Sequence, residues 1–531
     1  MKITHKLKEH MIEKEVNDST PLSFFSSNKI GGMFFFDVNK DRMQYFASIA
    51  GKPFKIIHDI DVDSGVKEVH NQFHSLRVKR ESHEHEFFAP FFMNALVIKS
   101  GKDSPYTIHF EPKHLASDSR LTHTHYVKEG RVLLKSESDD HSVYIVLQGD
   151  NLKYDCKKSG DRHSLGILAD KLVIAAADNE EDAILTANHI SRNESKLKGL
   201  QESYVVPALK LNDPHKALAY ACVLNGTDHM FLQSEDRKTM VPIPHFSDVT
   251  HPHPSFAAHA LLMEGEFGTV KNTILRELDM PSAERFHESA WPVLMLGRLL
   301  DRLCSEKKLY NYFSTEEIKS IASKVAYLTN LTEQEHFTDE KSKTHTLEVK
   351  SMMLLMHNLA YALTKMHRYS KAEGKLKEDA AKLLFDVKQR LHEKMSREDA
   401  KSIFLSSYVY PKLVSEEEWR SCFDLTLERM HGDFRTLHSK ENQKGEEELE
   451  LELFGLMSLA ATVLSRFGKD QYSRPIADIV DSAVKEVLFK GVIGRPSSGF
   501  SMDADPERGL LVKNTHMANN ALFLEMIREC S

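Results

Sequence analysis

The hydrophobic pattern of this 531-residue chain changes its period near residue 178, and that change limits the folds open to it. Before it, from about residue 29, short apolar or alternating runs are separated by turn residues, which is typical of β-strands. Such strands with short connections predict an antiparallel β-sandwich of roughly ten or more strands over residues 1–178. The clearest runs are 33–36, 54–57, 95–98 and 143–147, and the clearest turn signals are 31–32, 63–65, 101–103 and 149–150.

Beyond Asn179 the apolar residues recur at the 3.6-residue period of an amphipathic helix almost to the end of the chain. About twelve helices are predicted. They form six hairpins, which can close into an (α/α)6 toroid over residues 179–531 with its long loops gathered at one end. A helical solenoid is the alternative, although no repeat of about 34 or 40 residues is visible. The predicted helices lie at roughly 180–203, 214–224, 252–265, 268–278, 287–304, 314–328, 346–368, 372–394, 414–430, 446–467, 472–489 and 514–528.

Composition narrows the classes of function. The formal net charge of −8, from 70 basic and 78 acidic residues, disfavours nucleic acid or an anionic membrane as partner and permits a neutral substrate such as a sugar. The first residues are charged throughout, and no apolar run of about 18 residues occurs, so neither a signal peptide nor a membrane span is predicted. The sequence does not fix an oligomeric state.

The five cysteines favour a reducing compartment. They are odd in number, widely separated and free of any CxxC pair, so we predict neither disulfides nor a zinc site and expect a cytoplasmic protein. Four histidines, His245, His251, His253 and His259, are close in sequence, but the prolines among them restrict their approach to one ion. No metal ligand is therefore predicted.

Two carboxylates flank a loop in the helical half. Asp339 follows Phe337 in a short turn, and Glu348 lies in the first turn of the predicted helix 346–368. Both can face a pocket between helices, where burial and neighbouring charges tune acids for proton transfer, and this arrangement suits cleavage of a glycosidic bond. The alternative is a solvated loop acid and a helix N-terminal glutamate that the helix dipole favours.

Four segments of the helical half contain candidate catalytic and substrate-binding residues in a distinctive order. They are 231–240 (FLQSEDRKTM), 288–293 (ESAWPV), 337–359 (FTDEKSKTHTLEVKSMMLLMHNL) and 433–449 (DFRTLHSKENQKGEEEL). In this order they resemble the amylo-alpha-1,6-glucosidase part of glycogen debranching enzymes, a family of the six-hairpin glycosidase type. The resemblance implies the family's architecture, a β-sandwich followed by an (α/α)6 toroid, in a divergent member.

The resemblance also implies an activity. The protein would be an inverting glycoside hydrolase of α-linked glucans or oligosaccharides that needs no metal or organic cofactor. Asp339 falls on the family's general acid, and Glu447 falls on its general base when the last segment is aligned on Gly445. Acids also stand at 446 and 448, so the register of the base is open by one residue. The other matches imply substrate-binding roles for Arg237, Glu288, Trp291, Phe337 and Glu348.

Several of these residues have alternative structural roles. Arg237 is expected at a loop-to-helix start, where its guanidinium can bind sugar hydroxyls or orient a carboxylate, or can form a surface ion pair. Trp291 can present its ring to a sugar or lie in the core of an amphipathic helix. The acids around Glu447 can be the solvated face of a helix N-terminus.

The departures from the family pattern keep other functions open. The chain has two tryptophans, Trp291 and Trp419, and it carries Phe337 and Glu448 where the family has tryptophan. A catalytically lapsed carbohydrate-binding or interaction scaffold is the alternative to a hydrolase. A polysaccharide lyase with a base such as Tyr361 is a third hypothesis. In each case the sandwich is expected to be a non-catalytic scaffold.

Overall fold

Seventeen described strands within residues 2–177 form two sheets packed face to face. This computed structural model describes residues 1–16, 23–38, 40–101, 104–114, 121–138, 141–159, 162–207, 209–227, 231–234, 237–240, 259–278, 290–318, 336–338, 344–346, 500–505 and 509–515, together with isolated residues of further helices. In chain order the strands are β1 (Lys2–Leu7), β2 (His10–Glu15), β3 (Ser23–Ser27), β4 (Met33–Asp37), β5 (Arg42–Ile49), β6 (Lys52–Asp61), β7 (Val66–Asn71), β8 (Leu76–Arg80), β9 (Glu84–Phe88), β10 (Ala95–Ser100), β11 (Tyr106–His114), β12 (Thr122–Lys128), β13 (Arg131–Glu137), β14 (Ser142–Asp150), β15 (Lys153–Ser159), β16 (Arg162–Leu168) and β17 (Lys171–Ala177).

The larger sheet has ten strands in the spatial order β12-β13-β14-β17-β10-β9-β8-β7-β1-β2, and the smaller has seven in the order β15-β16-β11-β6-β5-β4-β3. Among these described strands, neighbours are antiparallel except β1 and β7, which pair in parallel. Between the sheets, the rings of Phe34 on β4 and Phe87 on β9 stack with their centroids 4.6 Å apart. The predicted amino-terminal β-sandwich is confirmed.

The continuous apolar runs are strands buried on both faces. In β17, Leu172 and Ile174 join the core between the sheets, whereas Val173 belongs to a second apolar cluster with helix α1 (Glu180–Tyr204). Successive side chains of a strand alternate between its faces, so a strand between two cores needs apolar residues at consecutive positions. This is why the pattern of these strands is continuous rather than alternating.

Helix α1 begins directly after the sandwich. The side-chain oxygen of Asn179 accepts a hydrogen bond of 2.8 Å from the backbone N–H of Asp182, which caps the helix. Acidic residues in the first turn add a favourable interaction with the helix dipole. The residues of α1 that pack in the second apolar cluster are Ala183, Ala187 and Ile190.

Two local expectations for the sandwich are corrected. Strands begin earlier than residue 29, because β1 buries Ile3 and Leu7 within the charged amino-terminal sequence. The turn predicted at 149–150 is wrong, since Gly149 lies inside β14. A Cβ atom on Gly149 would lie 2.8 Å from the carbonyl oxygen of Lys171, so the glycine permits a close backbone approach. The chain turns at Asn151, which has a φ of 57°.

The helices predicted near 180–203, 214–224, 268–278 and 287–304 are confirmed within the described residues. After α1 they are α2 (Pro214–Thr227), α3 (His259–Met263), α4 (Phe267–Leu278), α5 (Ala290–Ser305) and α6 (Leu309–Tyr312). None of the described helices is both long enough and apolar enough to cross a membrane. The helices predicted beyond 328 fall almost entirely outside the described residues, so closure of a toroid stays a prediction.

Helices α4, α5 and α6 contact one another through apolar side chains and through charged groups. The buried residues Phe267, Val270 and Ile274 recur along α4 at three- and four-residue spacing, which gives the helix an apolar face toward α5. Lys271 forms an ion pair of 2.6 Å with Glu317 and also donates to the carbonyl oxygen at the end of α6. The charged groups thus connect α4 to the residues that follow α6.

Three strand pairs in the helical half were not expected. They are β18 (Phe231–Ser234) with β19 (Arg237–Met240), β20 (His336–Thr338) with β21 (Thr344–Thr346), and β22 (Phe500–Asp505) with β23 (Gly509–Thr515). The chain forms two units, Met1–Thr250 with Ala483–His516 and His251–Ser482 with Met517–Ser531. The first unit therefore contains the sandwich, α1, α2, β18, β19, β22 and β23.

Candidate functional site

The seven residues predicted for the site divide into two groups. Those outside the described residues are Asp339, Glu447, Glu288 and Glu348. Those whose backbone the structure places are Arg237, Trp291 and Phe337. Arg237 belongs to the first unit, and the other two belong to the second. The convergence of all seven on one pocket stays a prediction.

Arg237 begins the second strand of a β-hairpin. Strands β18 and β19 pair antiparallel with Ser234 opposite Arg237 and Phe231 opposite Met240, so two residues connect them. The helix start predicted for Arg237 is therefore wrong. A two-residue connection favours a hairpin, and the branched side chain of Thr239 favours a strand. A strand pair sets the backbone position of Arg237.

Phe337 is the central residue of a short strand. Strands β20 and β21 pair antiparallel with Phe337 opposite His345, so the first two residues of the turn predicted over 337–339 lie in a strand instead. Asp339 follows β20 directly in the sequence, and Glu348 follows β21 by two residues. In the chain, Asp339 therefore lies in the connection between the two strands, and Glu348 lies just after the hairpin.

Trp291 is the second residue of α5. The helix buries Val293, Leu296 and Leu300, which recur at three- and four-residue spacing and form its apolar face. The pattern around Trp291 predicts the opening of a helix, and α5 includes that position. The backbone of Trp291 is therefore held in the first turn of a helix with a buried face.

A charged cluster on the seven-stranded sheet was not indicated by the sequence. The ammonium of Lys55 lies 3.1 Å from Nδ1 of His58 and 3.8 Å from the Glu111 carboxylate. Guanidinium nitrogens of Arg42 and Arg162 lie 3.1 and 3.4 Å from Nε2 of His58. Arg162 also pairs with Glu111 at 3.0 Å. The members come from β5, β6, β11 and β16, so no local sequence spacing reveals them.

Burial controls the protonation of this cluster. Burial lowers the pKa of Lys55 to about 8, against the opposing effect of Glu111. Burial and then the Lys55 charge lower the pKa of His58 to about 4, so its imidazole is neutral at pH 7. For Glu111, burial raises the pKa, but Lys55, His58 and Arg162 outweigh it and the net pKa is lowered. The cluster contains one carboxylate, whereas glycoside hydrolysis uses two.

Two surface pockets lie on the first unit. One, of about 310 Å³, combines two tyrosines with three carboxylates, and the other, of about 390 Å³, is mainly basic. The residues concerned are Tyr106, Tyr154, Asp61, Asp63 and Asp155 in the first and Lys6, Lys8, Arg77 and Lys198 in the second. None of the predicted site residues lines either pocket. These two pockets are therefore separate from the predicted chemistry.

No protein-family model matches this chain, and no curated protein matches its sequence significantly. Solved structures do match it. A bacterial glucoamylase in complex with acarbose has a TM-score of 0.53 and 10% identity, covering 97% of this chain and 94% of that chain. A provisional kojibiose phosphorylase from the human microbiome has a TM-score of 0.42 and 10% identity, covering 93% of this chain and 75% of that chain.

The similarity to the glucoamylase extends over nearly the whole of both chains, and at 10% identity it concerns the fold. This chain, with its β-sandwich followed by helices, therefore shares its fold with a bacterial glucoamylase.

Proposed function

We propose that this protein is a glycoside hydrolase acting on α-linked glucans or oligosaccharides. The observation that carries the proposal is the fold similarity to a bacterial glucoamylase over 97% of this chain and 94% of that chain. The four ordered segments support a narrower activity of the amylo-alpha-1,6-glucosidase kind. Residues 179–531 would form the (α/α)6 toroid that carries the reaction.

The proposed reaction uses two acids and inverts the anomeric carbon. Asp339 protonates the leaving glycosidic oxygen while Glu447 activates a water on the opposite face of the sugar ring. Room for that water requires a carboxyl separation of roughly 6.5–9.5 Å. Asp339 has to stay protonated near neutral pH, which an apolar environment or a neighbouring negative charge achieves. This scheme needs no metal or organic cofactor.

Five further residues are proposed to hold the sugar. The charged side chains of Arg237, Glu288 and Glu348 can form charge-assisted hydrogen bonds with hydroxyl groups. Trp291 and Phe337 can offer apolar ring faces to the pyranose. The phenyl ring of Phe337 is smaller than the indole of the family, so a shorter or different saccharide is expected at this position.

A carbohydrate-binding or interaction scaffold without catalysis is the second candidate. The observation that favours it is the replacement of two family tryptophans by Phe337 and Glu448. Such a protein would keep a sugar pocket but would lose the separation of acid and base. The two candidates therefore differ in turnover rather than in binding.

Release of reducing sugar from α-linked oligosaccharides, branched glucans and trehalose tests the proposal. The wild-type protein is expected to cleave at least one of these, and Asp339→Asn is expected to lower kcat by about 10²–10⁴-fold. The matched control is Asp150→Asn, which makes the same change at an exposed acid of the sandwich and is expected to keep full activity.

The anomer released from an α-linked substrate, followed by NMR, tests the stereochemistry, and the β-anomer is expected. Initial release of the α-anomer would overturn the inverting mechanism. Folded protein that binds acarbose but cleaves nothing would replace the hydrolase with the binding scaffold. Folded protein that neither binds nor cleaves any of these compounds would overturn both the hydrolase and the carbohydrate-binding scaffold.

A further inference from the structure

Imidazole and thiol side chains meet at one rim of the β-sandwich. They lie on β12, an outer strand of the ten-stranded sheet, on β15, an outer strand of the seven-stranded sheet, and on β16, which pairs with β15. The potential ligand atoms of His125, Cys156 and His163 all lie within 4.8 Å of one another. The group therefore spans the two sheets at the edge where both end.

Strand register places these side chains on the faces that the two sheets turn toward each other. Cys156 is opposite Leu165, a member of the core between the sheets, and His163 lies two residues from Leu165 on the same face. On β12, His125 is opposite Leu134, which belongs to the same core. The alternation of side chains along these strands thus directs all three toward a common space.

The three side chains differ in burial, from the interior of the sandwich to its surface. His163 is buried, Cys156 is half-buried and His125 is exposed, so an ion has a route of entry past His125. The rings of His125 and His163 have centroids 5.5 Å apart. A further imidazole, His123, lies 6.2 Å from His163, and its Nδ1 is 2.8 Å from the hydroxyl of Ser136. A hydrogen bond of this kind orients an imidazole beside a metal.

We propose that His125, Cys156 and His163 form a binding site for a zinc ion. Zinc takes imidazole nitrogen and thiolate sulfur at about 2.0–2.3 Å in tetrahedral geometry, which sets ligand atoms roughly 3.3–3.8 Å apart. The ligand atoms lie within 4.8 Å of one another, so each pair has to come closer by at most about 1.5 Å to bind one zinc ion. Rotation of the exposed His125 side chain can bring its nitrogen closer to the other two ligand atoms. Water or the nearby His123 completes the fourth position.

The ligand set excludes the commonest hard cations. Calcium and magnesium take oxygen ligands, whereas this group offers two nitrogens and one sulfur. Zinc is of borderline softness and binds such mixed sets in proteins. The chemistry of the three side chains therefore selects a metal of the zinc type.

The proposed ion links the outer strands of two different sheets. Edge strands expose unpaired backbone groups and are the parts of a sheet that need protection. An ion held by β12 on one side and by β15 and β16 on the other fixes this rim and stabilises the sandwich. The inference concerns the first unit alone and does not depend on the proposed glycosidase activity.

Metal titration of the tag-free, full-length protein tests the site after treatment with a chelator. One zinc ion per chain is expected, with a higher melting midpoint. Cobalt is expected to give the visible bands of a tetrahedral complex and a thiolate-to-cobalt absorption. Cys156→Ser is expected to abolish the thiolate absorption, and His125→Ala is expected to weaken zinc binding about 10-fold or more.

The matched controls are Cys304→Ser and His215→Ala, which make the same changes at exposed residues elsewhere and are expected to keep the wild-type stoichiometry and affinity. The His125→Ala variant changes an exposed residue, so it keeps the test decisive if Cys156→Ser folds poorly. An undiminished zinc affinity in His125→Ala would overturn the proposal. Retained thiolate absorption in folded Cys156→Ser, or no zinc binding by folded wild type, would also overturn it.

Discussion

His5 and Leu488 are 483 positions apart in the sequence, yet Nε2 of the imidazole lies 3.0 Å from the Leu488 carbonyl oxygen. A carbonyl only accepts, so Nε2 carries the proton and donates it. The other ring nitrogen, Nδ1, then accepts from the side-chain amide of Asn71 at 3.3 Å. Strand β1 is thereby joined to β7 and to a late segment of the chain, both within the first unit.

Replacement of His5 by leucine is expected to lower the melting midpoint of the protein. Leucine removes both hydrogen bonds and leaves the Leu488 carbonyl and the Asn71 amide without these partners in a buried place, a loss of about 2–4 kcal/mol. Thermal unfolding followed by circular dichroism measures the change. The control His189→Leu, on the exposed face of α1, is expected to stay within about 0.5 kcal/mol. Equal midpoints for the two variants would contradict a structural role of the His5 bond.

Acid is expected to destabilise the sandwich between about pH 6.5 and pH 4. Burial lowers the pKa of His5 to about 4, and burial together with Arg80 and His83 lowers the pKa of His85 to about 4. The unfolded chain takes up these protons near pH 6.5. The stabilisation is therefore complete above that pH and is lost as the pH falls toward 4, by up to roughly 3 kcal/mol for each histidine.

The melting midpoint of the wild-type protein, measured from about pH 7 down to about pH 4, checks this dependence. The double variant His5→Leu/His85→Leu is expected to start from a lower midpoint but to show a shallower fall, because two of the groups that take up protons on unfolding are gone. Parallel curves for the wild type and the double variant would show that other groups control the acid response.

The sandwich could be predicted because burial of a strand on one or both faces requires an alternating or continuous pattern of apolar residues. The order of the strands within a sheet produces no such sequence pattern. Strands β14, β17 and β10 are neighbours in the ten-stranded sheet although β15 and β16, between the first two in sequence, belong to the other sheet. The local structure at Gly149 could not be predicted either. A glycine is equally compatible with a turn and with a close backbone approach inside a strand.

Gly149→Ala is expected to destabilise the protein by about 1–3 kcal/mol. The added Cβ would lie 2.8 Å from the Lys171 carbonyl oxygen, so either β14 or β17 has to shift. The matched control is Gly65→Ala, where a Cβ has no heavy atom within 4 Å. There the change is expected to be neutral or to stabilise by up to about 1 kcal/mol through the unfolded state. Denaturant midpoints compare the two variants, and equal effects would contradict the steric explanation.

Candidate functional residues could be proposed from the sequence only where they lie close together in short segments of the chain. The segment around Arg237 was proposed from its resemblance to a family motif, but its local structure was predicted wrongly, because the same residues fit a helix start or a two-residue hairpin. The proposed zinc ligands His125, Cys156 and His163 were not indicated by the sequence for a different reason. They lie on three strands of two sheets, and their spacing along the chain matches no short metal-binding motif.

Arg237→Lys is expected to raise KM by about 10-fold or more while kcat changes little. Lysine keeps the charge but lacks the planar fork of donors that can bind two hydroxyl oxygens at once. Steady-state kinetics on the best substrate measure both constants, with Arg192→Lys on the exposed face of α1 as the control. A fall in kcat at constant KM would instead mean that Arg237 acts mainly in the transition state.

Among three consecutive acids, Glu447 is expected to be the general base, and its neighbours provide matched controls. Glu447→Gln is expected to lower kcat by about 10²–10⁴-fold, because an amide cannot take the proton of the attacking water. Glu446→Gln and Glu448→Gln make the same change one residue away. Adjacent side chains point in different directions on either a helix or a strand, so Glu447 and an immediate neighbour cannot both face that water. Loss of activity in one of the flanking variants alone would move the base by one residue. Full activity in all three would remove this segment from the reaction and with it the proposed acid–base pair.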